Sequence, residues 1–97
     1  MMRLELDRTG GFGGAARRFE VDEASLASSD RAELRRLVAG AALASLPEVL
    51  TVPAPAVDRF TYRLTVEEGA ERREVRFTEL AMTEGLRELV RWVEGRG

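Results

Sequence analysis

A chain of 97 residues, 44% hydrophobic and 33% charged, holds one ordinary hydrophobic core, and a single domain over 1–97 is expected. It contains no Cys, no His and no Lys, which removes disulfides, thiolate and Ser-His nucleophiles, the commonest general base and metal ligand, and Schiff-base chemistry. Seventeen acidic residues against fifteen arginines give a net charge of −2, without the basic excess of a protein that tracks nucleic-acid phosphates.

Met2, Leu4 and Leu6 alternate with Arg3, Glu5 and Asp7, which predicts a half-buried strand. Thr9-Gly10-Gly11-Phe12-Gly13-Gly14 breaks the alternation, and Arg17-Arg18-Phe19-Glu20-Val21-Asp22 resumes it, so a hairpin with a Gly-rich connection is expected. Ser28-Ser29-Asp30 offers N-cap residues, with Glu33 three after Asp30 in a capping-box arrangement. Leu34, Leu37, Val38, Ala41 and Ala42 then follow the stripe of an amphipathic helix, and Pro47 marks its end. Gly40 inside it costs about 1 kcal/mol relative to Ala.

Glu48 to Asp58, with Pro53 and Pro55 and no periodicity, reads as an extended loop. The clearest strand follows, with Phe60, Tyr62, Leu64 and Val66 alternating with Arg59, Thr61, Arg63, Thr65 and Glu67. Glu68-Gly69-Ala70 turns it, and Arg72 to Thr78 returns with Val75 and Phe77 inward. A last helix is expected from Thr83 to Glu94, its stripe formed by Met82, Leu86, Leu89, Val90 and Val93 with Trp92 at the edge.

The order is ββα twice, and the fold expected is α+β: a four-stranded antiparallel sheet with two helices packed on one face. The other face carries Arg3, Glu5, Asp7, Arg18, Glu20, Arg59, Arg63, Arg72, Glu74 and Arg76, a solvated surface of mixed charge. An RNA-reading sheet would need exposed aromatics for base stacking, whereas the alternation turns Phe19, Phe60, Tyr62 and Phe77 inward. The opening Met1-Met2-Arg3-Leu4 has no apolar run after its arginine, and the weakly polar stretch Leu37–Leu46 is about half a membrane span. A cytoplasmic monomer with no signal peptide, no membrane contact and no cofactor is therefore expected.

Two positions stand out for function. Gly11-Phe12-Gly13-Gly14-Ala15-Ala16 matches a dinucleotide fingerprint literally, but a strand follows where that fingerprint needs a helix to meet the pyrophosphate. The glycines then serve a turn, and Phe12 either folds back on the core or is displayed to a partner as an anchor. Asp58 is one of four aspartates and sits between the Pro-rich loop and the next strand. It is either a turn residue bonding its own backbone or a displayed carboxylate, and with no second ligand at useful spacing no metal site of the chain's own is expected.

Leu4-Glu5-Leu6-Asp7-Arg8-Thr9-Gly10-Gly11-Phe12-Gly13-Gly14 resembles the strand and R-x-G-G-F-x-G opening of the emfourin (protealysin inhibitor) family. Val57-Asp58-Arg59-Phe60-Thr61-Tyr62-Arg63-Leu64-Thr65-Val66 is similar to its D-x-F-x-Y-x-L-x-V strand. Ala44-Ser45-Leu46-Pro47 and Gly85-Leu86-Arg87-Glu88-Leu89-Val90-Arg91-Trp92 fall in the expected order. The resemblance implies a protein inhibitor, not an enzyme, that binds a thermolysin-like zinc metallopeptidase 1:1. It further implies that Asp58 is directed at the target enzyme's zinc, that Gly11, Phe12 and Gly13 enter substrate subsites, and that Val57 touches the cleft. The competing expectation is a protein-binding adaptor using the same loops or a sheet edge.

Overall fold

The computed structural model describes residues 1–10, 16–52 and 60–96. Its strands are β1 (Met2–Gly10), β2 (Arg17–Asp22), β3 (Val49–Leu50), β4 (Phe60–Glu68) and β5 (Glu71–Thr78), and its helices are α1 (Ser28–Ala41) and α2 (Glu84–Arg96). The α+β class and the two helices agree with the sequence reading. The sheet does not: among the described residues it has five strands in the order β2-β1-β4-β5-β3, and it is mixed, because β3 runs parallel to β5. The segment read as an extended loop from Glu48 thus begins as an edge strand, with Val49 opposite Arg76 and the Arg76 N–H donating to the Glu48 carbonyl at 2.7 Å. Two residues are too few for an alternation to register in a sequence.

β1 outlasts its own alternation. It was expected to break at Thr9, but the antiparallel register with β4 runs from Met2 opposite Glu68 to Gly10 opposite Phe60. Partner hydrogen bonds supply what local propensity withholds. The β4–β5 turn needs Gly69, whose φ is +60°.

Met2, Leu4 and Leu6 of β1, Phe19 and Val21 of β2, Tyr62, Leu64 and Val66 of β4, and Val75 and Phe77 of β5 are buried in one cluster. Leu34 and Leu37 of α1, with Leu86, Leu89, Val90 and Val93 of α2, close that cluster from the same side of the sheet. The opposite side carries the charges. Asp7 lies between Arg18 and Arg63 in register and accepts from Arg18 Nε at 2.7 Å and Arg63 at 2.9 Å, which holds its carboxyl below the ordinary range, Arg18 contributing most. Arg59 of the expected outer face lies outside the described residues.

Helix boundaries correct two expectations at α1 and agree with the expected start of the last helix. The capping box does not form: Ala27 is the N-cap of α1 and contributes no side-chain bond, while Asp30 lies inside the helix and pairs with Arg96 of α2 at 3.4 Å. The α1 stripe stops at Ala41, because Ala42 takes a left-handed φ of 48° and a 3-10 turn over Leu43–Ser45 buries Leu43 instead. α2 begins one residue after Thr83, whose hydroxyl accepts the Leu86 N–H at 3.2 Å and so caps it.

The helices touch backbone to backbone at Gly85. A Cβ there would meet the Gly40 carbonyl oxygen and lie 2.9 Å from the Ala41 Cα, whereas a Cβ on Gly40 would meet nothing within 4 Å. Gly40 therefore lends its carbonyl to the contact while its own open side faces solvent. Gly85→Ala is expected to destabilise the fold by about 1–3 kcal/mol through overpacking. Gly40→Ala is expected to stabilise it by about 1 kcal/mol through helix propensity. Denaturant titration of both variants checks the opposite signs.

Candidate functional site

Gly11, Phe12, Gly13, Val57 and Asp58, the residues that the sequence points to, lie outside the described residues, as do Pro53 and Pro55. What is described is the frame from which segments 11–15 and 53–59 leave. β1 ends at Gly10 and β4 begins at Phe60, and these two residues are register partners. Both segments are thus attached at adjacent points of one end of the sheet, with β2 starting beside them at Arg17 and β5 finishing there at Thr78.

The covered side of that end is sealed by Arg8. It follows Met2, Leu4 and Leu6 in the inward phase of β1, where a cation needs both a charge partner and somewhere to lay its stem. Its Nη1 lies 2.5 Å from Glu94 of α2, and its guanidinium stands 4.7 Å from the Phe60 ring centroid and 5.4 Å from that of Phe19. One side chain thereby touches the first residue of β4, the middle of β2 and the last turns of α2. Arg17 covers Phe19 as well, at 4.6 Å. Below them Phe60, Tyr62 and Phe77 form an aromatic column, edge-on at 6.2 Å and then stacked at 5.3 Å.

Phe60 is fixed at its backbone too, since its N–H donates to Glu79 Oε1 at 3.2 Å. Glu79 opens a 3-10 turn over Glu79–Ala81, so the connection from β5 to α2 is tied to the start of β4. None of Arg8, Glu79 and Glu94 was singled out as a site residue by sequence reasoning. The signal for two of them was present: Arg8 continues an inward alternation, and Glu94 falls four residues after Val90 on the buried stripe of α2. Opposite charges in two apolar phases imply a partly buried pair.

Tyr62 lies in the same column and its hydroxyl is pushed up to about 12, first by burial and next by the Glu94 carboxylate, with Arg8 partly opposing. A raised tyrosine contributes stability that is whole below its unfolded value near 10 and drains away as pH climbs through 12. The chain has one tyrosine, so its ultraviolet titration is expected to show a single late midpoint, with stability falling across the same interval. Arg8→Gln removes two ring contacts and the ion pair and is expected to cost about 1–2 kcal/mol of stability in denaturant titration.

Among the described residues no group of acidic side chains is arranged to hold a metal ion, and no helix is long and apolar enough to cross a membrane. Comparison with curated proteins and with solved structures gives no match. A family model does match, described as Emfourin, over residues 6–94. That stretch takes in β1 from Leu6 onward, the other four strands, all of α1 and all but the last two residues of α2, including Arg8, Phe60, Glu79 and Glu94, and on it the chain belongs to the Emfourin family.

Proposed function

We propose that this chain inhibits a zinc metallopeptidase of the thermolysin type by occupying its active-site cleft, in a 1:1 complex and without catalysis of its own. The observation that carries the reading is the register partnership of Gly10 with Phe60 in a chain of the Emfourin family. It attaches the segment holding Phe12 next to the segment holding Asp58, so one approach of the inhibitor can engage both with the same cleft.

The division of labour follows from the chemistry of the target. A catalytic zinc keeps three protein ligands and one exchangeable position, which a carboxylate oxygen can take at about 2.0–2.2 Å. Asp58 is the residue assigned to that position. Phe12, flanked by Gly11 and Gly13, is assigned to an apolar subsite beside the scissile bond, with Val57 against the cleft wall. The metal in this mechanism belongs to the enzyme, so a chain without His or Cys can perform it. The frame matters because anchors held by a rigid sheet lose less freedom on binding than anchors on a free chain.

Titration of the purified chain into a thermolysin-like peptidase, followed by peptide hydrolysis, is expected to give tight inhibition at equimolar stoichiometry. Asp58→Ala is expected to weaken it by more than about 2 kcal/mol, as for a buried interfacial charge that loses its partner. A loss of less than about tenfold, or 1.4 kcal/mol, removes Asp58 from the zinc. Phe12→Ala is expected to cost about 1–3 kcal/mol of inhibition with the melting temperature unchanged. A fall of several kcal/mol in folding stability instead would make Phe12 a core residue. Absence of inhibition in the parent chain would leave the adaptor reading, tested by partner capture.

A further inference from the structure

We propose that Leu80 and Val52 extend the peptidase-contacting surface as an apolar shoulder beside the two segments; this rests on the inhibitor reading. The large hydrophobic side chains exposed among the described residues are Met1, Val49, Val52 and Leu80. Met1 precedes the start of β1, at the far end of the sheet from Gly10 and Phe60, and Val49 sits on the β3 edge opposite Arg76. Val52 and Leu80 lie elsewhere. β3 and β5 are parallel, with Leu50 opposite Phe77, and both run toward the end of the sheet where β4 begins. Val52 follows β3 by two residues and Leu80 follows β5 by two, so the strands deliver both side chains to the end that carries Gly10 and Phe60.

Leu80 is 46% exposed and Val52 41% exposed, yet the turn bearing Leu80 is well fixed. Its neighbour Glu79 accepts the Phe60 N–H, while Met82 on its other flank packs against the core. Nearly half of the Leu80 surface is left in water, and a fixed apolar side chain at a rim binds at small entropic cost.

The size of the interface gives the second argument. A standard protein–protein interface takes roughly 20–30 residues from each partner. Segments 11–15 and 53–59 supply twelve. The remainder must come from the surface around their attachment points, where the exposed large hydrophobics among the described residues are Leu80 and Val52. The occupant is therefore the same peptidase, through apolar side chains bordering its cleft.

The test combines Leu80→Ser with Val52→Ser in the full chain, assayed against the thermolysin-like peptidase beside Asp58→Ala and the edge variant Val49→Ser. The inhibition constant of the double variant is expected to rise at least about tenfold with an unchanged melting temperature, as for a pair of interface hot spots, while Val49→Ser inhibits like the parent. If the double variant melts lower, Leu80→Gln alone is assayed by the same criterion. Parent-like inhibition by the polar variant, with Asp58→Ala still impaired, overturns the shoulder and leaves the inhibitor reading intact. Failure of the parent chain itself to inhibit overturns both.

Discussion

The antiparallel ladder between β1 and β4 is the constraint from which the rest of the molecule follows. It joins strands from the two halves of the chain at the centre of the sheet, and β2 and β5 add to its outer sides. Its register decides which side chains share a face. Leu4 meets Val66 and Leu6 meets Leu64 under the helices, while Asp7 meets Arg63 in water. A slip by one residue would exchange those faces throughout, so the apolar sets on both strands hold the register strictly. The same register brings Gly10 to Phe60 and thereby determines where two functionally suggestive segments begin and end.

Both ends of the core are closed by a charge in an inward position. At one end Arg8 lies against Glu94 and two aromatic rings; at the other the Glu23 carboxylate, 2% exposed, accepts the Met2 N–H and is paired with Arg35. A buried carboxylate is tolerable only when so satisfied, and Arg35 with the Met2 amide holds Glu23 below its ordinary range. Such pairs add specificity of placement. An arginine laid over two rings and fastened to a third element positions β1, β2, β4 and α2 together, which a leucine in its place would not do.

The sequence made the buried side of the fold legible because alternation and helical stripes are local signals. Phe19, Val21, Tyr62, Leu64, Val75 and Phe77 are buried where the pattern puts them. What escaped it was decided by distant partners. Val49 and Leu50 are a strand because β5 offers them an edge, and Thr9 and Gly10 remain in β1 because Thr61 and Phe60 lie opposite. The capping box failed for a similar reason, since α1 starts early enough to leave Asp30 inside the helix, where Arg96 reaches it. Of the candidate site, Phe12 and Asp58 were singled out by residue type and setting, and both lie outside the described residues. The frame was legible only in part, through the misplaced charges of Arg8 and Glu94, whereas the bond from Phe60 to Glu79 has no sequence pattern.

The central ladder also dictates an order of events during synthesis. Its nearest paired residues, Gly10 and Phe60, are fifty positions apart, and its farthest, Met2 and Glu68, sixty-six. A nascent chain that has made β2 and α1 still lacks the neighbour that fills the other side of β1. The loop-closure cost of so distant a pairing is met only when β4 is available, so the central ladder cannot form before β4 is made. An incomplete product cannot hold the two segments at one end of a sheet. The frame between the two segments is thus completed only when β4 joins β1, and a copy truncated before β4 lacks it.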